Sequence, residues 1–256
     1  GTGGTAGRDA AELDMRATAV TGTGTAGLRG LLFDKDGTLF DFYATWGNWT
    51  RELIADLSRG EALRARRLAA VLRFDIASCL FDKSSPAIAG TLDDIVDTIR
   101  RALPEVSPEA LRADLARRAA LVTPVEAVPL APLLDRLQGE GYTLGVVTND
   151  SAAAARIQIG GAGGLDRFDF IAGYDSGFGG KPEPGMMHAF CRATRLRPAE
   201  VAMIGDSLHD LRPARAIGMR TVAVLTGPAE AADLAAHADA VLPDIGALPA
   251  WLAGEF

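Results

Sequence analysis

Leu31-Leu32-Phe33-Asp34-Lys35-Asp36-Gly37-Thr38-Leu39 runs from three apolar residues into two acids spaced i, i+2, then a glycine turn. A short apolar run bounded by a turn signal reads as a buried strand. With the strand over 31–34, period-2 alternation sends the Asp34 and Asp36 carboxylates off one face of its C-terminal end. Lys35 then points away from both acids and reads as a structural, ion-paired residue. In open α/β sheets that edge is where ligands bind. Taken alone, the stretch fits a capped strand end with an acidic turn equally well, so the rest of the chain must decide.

Downstream of Pro129, strand and helix patterns alternate. Residues 133–137, 151–159, 185–194 and 211–217 read as helices. Residues 143–147, 170–171, 201–204, 221–225 and 240–242 read as strands. Such alternation predicts an α/β fold, a Rossmann-like parallel sheet with helices on both faces. Between the first strand and the rest, residues 41–128 have helical periodicity instead. Leu92, Ile95, Val96, Ile99 and Leu103 keep one face, and Leu111, Leu115 and Val122 follow on another helix. Thr91 and Ser107-Pro108 look like helix starts. With helices near 46–57 and 61–75, this segment is expected to be a four-helix insert, an all-α cap of its own. The core then comprises 28–40 and 129–256, and 1–27 is a loosely packed, Gly- and Thr-rich tail. Part of that tail, without an initiator Met, reads as an added leader.

Within the tail, Gly22-Thr-Gly24-Thr-Ala-Gly27 matches G-x-G-x-x-G. A dinucleotide fingerprint needs a strand before it and a helix after it. Here a polar stretch precedes and the first strand follows, so no dinucleotide site is expected. The 256-residue chain is 48% hydrophobic and 23% charged, with net charge −7. That balance is globular, and an acidic surface disfavours nucleic acid or an anionic membrane as partner. Cys79 and Cys191 stand far apart with no metal-ligand spacing, and no apolar run reaches eighteen residues. A cytoplasmic protein, monomeric or a homodimer, is expected.

Three further segments bring polar groups to the same sheet edge. Val146-Val147 runs into Thr148-Asn149-Asp150 before a helix, where a hydroxyl, an amide and helix N-terminal N–H groups can hold an anion. Val201–Ile204 runs into Gly205-Asp206-Ser207-Leu208-His209-Asp210, adding two carboxylates. Between them Gly179-Gly180-Lys181-Pro182 places a lysine in a turn; Pro182 stands where a P-loop needs Ser or Thr. Each has a plain structural reading: Thr148 as helix cap, Lys181 as surface lysine, Asp206 and Asp210 as helix-start acids. Pro213 is tolerable only in a helix's first turn, which predicts a helix start near His209 or Asp210.

Taken in order, Asp34-x-Asp36-Gly37-Thr38-Leu39, Thr148-Asn149, Lys181-Pro182 and Gly205-Asp206-x-x-x-Asp210 resemble the four motifs of the haloacid dehalogenase-like (HAD) hydrolase superfamily. The resemblance covers the chain after residue 29, and the insert resembles the C1-type cap of phosphoglycolate-phosphatase-like members. It implies Asp34 as nucleophile, forming an aspartyl-phosphate, and Asp36 as acid and base. Thr148 and Lys181 would hold the non-transferring oxygens, with Gly37 and Asn149 also at the phosphate.

Charge counting asks for a cation. Asp34, Asp206, Asp210 and a phosphomonoester far outweigh one Lys181, and all-oxygen ligation favours Mg²⁺. Asp34, Asp206 and the Asp36 backbone carbonyl are the expected ligands, with Asp210 behind them or orienting the lysine. Asp36 disfavours dehalogenation, because haloacid dehalogenases lack the second acid. Lys83, the sole lysine of the insert, reads as a surface residue although a Schiff-base role stays open. Arg73, Trp46, Asn48 and Arg51 are candidates to contact the leaving group, Trp46 and Trp49 reading first as core. The expectation is thus a Mg²⁺-dependent phosphatase acting on a small phosphorylated metabolite. The alternatives are a sugar phosphomutase of the same superfamily and a non-catalytic binding module.

Overall fold

The computed structural model describes residues 25–255. Residues 1–24 of the expected tail, with the first half of its glycine motif, lie outside the described residues. Strands β1 (Gly30–Phe33), β4 (Thr143–Val147), β5 (Phe170–Ala172), β6 (Val201–Gly205), β7 (Arg220–Val224) and β8 (Ala240–Leu242) form one parallel sheet, ordered β5-β4-β1-β6-β7-β8. The remaining strands, β2 (Phe74–Asp75) and β3 (Leu80–Phe81), form a separate antiparallel hairpin. The large sheet is the predicted α/β architecture. From β1 the chain builds outward to β4 and β5, then crosses to β6 and builds the other way. The strand order therefore reverses beside β1, which makes its C-terminal end the switch point where such sheets bind ligands.

Alternation along β1 sorts the core. Leu31 and Phe33 join a cluster with Leu134, Leu144, Ile159 and Ile204. Leu32 faces the other way, onto Met186, Phe190 and Met203. Both faces are covered, which is why these strands read as continuous apolar runs. The helix Ala152–Gly161 packs on the first face through Ala155 and Ile159. Helix Gly185–Thr194 packs on the second through Met186, Met187 and Phe190.

Residues between β1 and β4 build a core of their own from Leu53, Ile54, Leu68, Leu72, Val96, Ile99, Leu111 and Leu115. Its main helices are Asn48–Ser58, Ala62–Leu72, Leu92–Ala102 and Pro108–Ala120. Thr91 closes a capping box with Asp94, and Ser107 caps the last helix with Pro108 behind it, as their sequence pattern requires. A short π-helix, Tyr43–Gly47, leads in. The insert is not purely helical, however. The second helix ends at Leu72, where Arg73 turns left-handed at φ 49, and the β2–β3 hairpin follows with Phe74 opposite Phe81. Phe74, inside the helix expected over 61–75, instead packs its ring against Phe81 across the hairpin, with centroids 4.8 Å apart and planes tilted by 53°.

Where the insert leaves and rejoins the sheet, the two chain passages are bonded to each other. The Asp41 N–H donates to the Val125 carbonyl at 2.8 Å, and the Ala127 N–H to that of Leu39 at 3.0 Å. No helix of the described residues is long and apolar enough to cross a membrane.

Candidate active site

Strand β1 ends at Phe33, and the Asp34 N–H extends the ladder by one bond, to the Ile204 carbonyl at 2.9 Å. Beyond it the chain turns. The Lys35 carbonyl accepts from both Leu39 and Phe40, and the Gly37 N–H donates to Phe40 at 2.7 Å. Period-2 alternation therefore stops at the strand end, and Asp34 and Asp36 enter different surroundings.

Asp34 is buried. Lys181 reaches it across the edge, its Nζ lying 2.6 Å from Asp34 Oδ1 and 2.7 Å from Asp210 Oδ1. The other oxygen of Asp210 accepts from the Ser207 hydroxyl at 2.8 Å, closing the capping box of helix Leu208–Ala216. Asp210 thus ties the lysine to the end of β6. This cap also fixes the helix start at Leu208, earlier than Pro213 implies. Pro213 falls inside the helix, in its second turn, at the expense of one backbone bond; an interior proline typically costs about 3 kcal/mol.

Carboxylate oxygens of Asp34, Asp206 and Asp210 converge within 4.8 Å of one another, and all three residues are buried. Burial, followed by the neighbouring Asp210 charge, pushes the Asp34 carboxyl up to about 7, although Lys181 works against the shift. Burial and then the Asp34 charge hold Asp206 well above the usual carboxylate range. Burial alone would make Lys181 easier to deprotonate, but Asp210 and Asp34 more than offset it and raise its pKa. Three hard oxygen donors against one ammonium suit a small divalent cation. The turn is shaped around them: Gly37 has φ +77, and a Cβ there or at Gly227 would collide with the Asp206 carboxylate. These residues fit a Mg²⁺ site.

Thr148, at the end of β4, is buried, and its hydroxyl oxygen accepts from the Asp150 N–H at 3.1 Å. Helix Ala152–Gly161 is capped by Ser151, so Thr148 is not its cap. Two residues expected at the phosphate are otherwise engaged. The Gly37 N–H is spent on Phe40, and its role in the turn is to leave room for Asp206. The Asn149 amide clamps the Lys181 backbone, donating to its carbonyl at 2.9 Å and accepting from its N–H at 2.7 Å. Asn149 positions the lysine.

Asp36 is gripped from two sides that the sequence does not reveal. Trp46 of the insert donates its indole N–H to Asp36 Oδ1 at 2.9 Å. Lys35, read from alternation as facing away, is fully buried with its Nζ 2.9 Å from Asp36 Oδ2 and 3.1 Å from Asp150 Oδ2. The chain turns directly after Lys35, and Asp36 comes to lie against the ammonium. A buried lysine demands anionic partners and a half-buried indole N–H demands an acceptor, which are the signals that could have found both. The other insert candidates bond elsewhere. Arg51 donates to Asn48 at 3.1 Å, and Arg73 to Ser84 beside an open cavity of about 640 Å³ within the insert. Lys83 pairs with Glu230 at 2.8 Å across the gap to the core.

A family model described as haloacid dehalogenase-like hydrolase matches residues 28–218. A phosphoglycolate phosphatase of Nitrosospira multiformis is 27% identical over 85% of this chain and 92% of its own length. An N-acetylmuramic acid 6-phosphate phosphatase of Pseudomonas aeruginosa is 27% identical over 82% and 87%. The crystal structure of a predicted phosphoglycolate phosphatase from Haemophilus somnus superposes with a TM-score of 0.67 at 19% identity, covering 88% of this chain and 98% of the other.

Proposed function

Because this chain belongs to the haloacid dehalogenase-like hydrolase family, we propose that it is a Mg²⁺-dependent phosphatase that hydrolyses a small organic phosphomonoester through Asp34. The observation that carries the reading is the buried Asp34–Lys181–Asp210 chain beside Asp206 at the sheet's switch point. Asp34 attacks phosphorus and the ester oxygen departs, leaving an aspartyl-phosphate that water hydrolyses. Asp36 gives its proton to the departing oxygen and later takes one from the attacking water. Lys181 and the Thr148 hydroxyl receive the non-transferring oxygens, Lys181 being held in place by Asp210 and by the Asn149 clamp.

Asp34, Asp206 and the Asp36 backbone carbonyl would hold Mg²⁺, with Asp210 orienting Lys181. The metal supplies charge neutralisation for the incoming dianion and a template for in-line transfer. Asp34 must be a carboxylate to attack; burial and Asp210 raise its pKa, and Lys181 favours the charged form, as a bound cation would. Residues 41–128 act as the cap, which excludes water during transfer. The bond from Trp46 to Asp36 supports this reading, since it joins the insert to the acid. The relatives' names span phosphoglycolate and an amino-sugar phosphate, so the class proposed is small phosphomonoesters rather than one compound.

A phosphate-release screen with Mg²⁺ across sugar phosphates, nucleotides and phosphoglycolate tests the proposal. Asp34→Asn is expected to lower turnover by at least ~10³-fold while keeping the fold. No release by the native protein from any ester overturns the reading. Isomerised product on adding a sugar bisphosphate would replace it with a mutase.

A further inference from the structure

We infer that Lys35 is a positioning residue for the acid and base of the reaction, the centre of a buried clamp that runs from Asp36 through Gln158 to the insert. The inference rests on the phosphatase reading above. Lys35 is fully buried, and its ammonium has three partners for its three protons: Asp36 Oδ2 at 2.9 Å, Asp150 Oδ2 at 3.1 Å, and Gln158 Oε1. With every donor engaged, the ammonium is fixed in one place. Gln158, itself buried, sits on helix Ala152–Gly161 and donates its amide N–H to the Ala119 carbonyl at 3.2 Å, in the last helix of the insert. The amide thus joins core and insert with its two ends.

On the opposite side Trp46, also from the insert, holds Asp36 Oδ1 at 2.9 Å. Two N–H donors, one aimed at each oxygen, suit the carboxylate that remains after Asp36 has given its proton to the leaving oxygen and before it takes one from water. Both of its anchors depend on the insert, Trp46 directly and Lys35 through Gln158. The carboxylate is therefore held as found only when the insert is seated. A lysine serving packing alone would need neither Asp36 nor a link to the insert; one carboxylate, Asp150, would neutralise it.

Leaving-group chemistry separates positioning from general structural damage. An alkyl phosphate needs its departing oxygen protonated, whereas p-nitrophenolate departs without help. The quantity to compare is kcat/KM, which reports transfer to Asp34, for an accepted alkyl phosphate and for p-nitrophenyl phosphate, in the full chain with Mg²⁺. Lys35→Met is expected to lower the alkyl value by about 10²-fold, within the range that general acid catalysis supplies, and the aryl value by less than about threefold. Asp36→Asn is expected to show the same selective pattern.

Because Lys35→Met leaves Asp36 and Asp150 facing each other, the measurement is repeated on Lys35→Met/Asp150→Asn, which removes the surplus charge. It is also made on Gln158→Leu, where Lys35 keeps both carboxylates and loses its tie to Ala119; a smaller loss of the same selectivity is expected. Equal losses on both esters in folded variants, or no loss, overturn the inference and leave the phosphatase reading intact. Absence of turnover by the native protein on every ester tested overturns that reading and takes the inference with it.

Discussion

Asp36 shows how much of a residue's work is done by its neighbours. Asp34 is enclosed among Asp206, Asp210 and Lys181, whereas Asp36 sits at the seam between sheet and insert and is a quarter exposed at its side chain. Among the described residues, its contact with Trp46 is the one direct side-chain bond from the insert to the proposed acid. Trp46→Phe keeps an aromatic ring at this position beside Trp49 and removes the indole N–H together with the five-membered ring. A hydrogen bond to a charged group is worth about 1.5–3 kcal/mol, so kcat is expected to fall on the order of tenfold or more, with a melting temperature lower by several degrees but well above the assay temperature. Steady-state kinetics on an alkyl phosphate and a thermal melt check this. An unchanged kcat would remove Trp46 from the working of Asp36.

At the scale of elements, what could be read from sequence followed from how far each periodicity extends. The parallel strands are mostly apolar, and Ser151 caps a core helix as Thr91 and Ser107 cap helices of the insert, so composition and caps mark these elements without tertiary information. The four groups of polar residues were legible because each follows a buried strand or a glycine turn. Lys35 is ion-paired as expected, but its partner Asp36 is not legible, because alternation does not extend past Phe33 into a turn set by its own hydrogen bonds. The β2–β3 hairpin was hidden because Phe74 continues the apolar pattern of the helix before it, which a left-handed Arg73 ends one residue earlier. The bonds of the Gly37 N–H to Phe40 and of the Asn149 side-chain amide to the Lys181 backbone are not legible, since sequence order does not show which neighbour a polar group meets.

The turn after β1 carries a prediction of its own. Gly37→Ala meets both a left-handed φ of +77 and the Asp206 carboxylate, whereas Gly27→Ala, at φ +92, meets no atom within 4 Å. Backbone strain alone costs roughly 1–2 kcal/mol in each. Both variants are expected to melt a few degrees lower, at about 2–4 °C per kcal/mol, but only Gly37→Ala should also lose Mg²⁺-dependent turnover. Equal turnover in the two would mean that Asp206 tolerates displacement.

Over the whole molecule, the buried carboxylates make stability depend on pH and on the metal together. Asp34 titrates near 7 in the folded chain and near the ordinary value of about 4 when unfolded, and Asp206 is shifted in the same direction. Between those limits the folded form binds more protons than the unfolded, so stability falls as pH rises through about 4 to 7. Below that window both forms are protonated and the penalty is nil; above it the penalty is fully present. A divalent cation binding the carboxylates must displace those protons, so its affinity rises over the same window. Without metal, melting temperature is therefore expected to drop from pH 5 to pH 8. Added Mg²⁺ should change little at pH 5 and raise it at pH 8. At a hundred times its dissociation constant the ion contributes about 2.7 kcal/mol, on the order of 5 °C or more for a chain of this length. Asp206→Asn should flatten both the pH slope and the Mg²⁺ response, because it removes one shifted group and one ligand at once. A Mg²⁺ shift equal at the two pH values, or larger at pH 5, would show that the ion binds elsewhere. Calorimetry of the native chain and this variant, each with and without Mg²⁺, separates the two outcomes without reference to turnover.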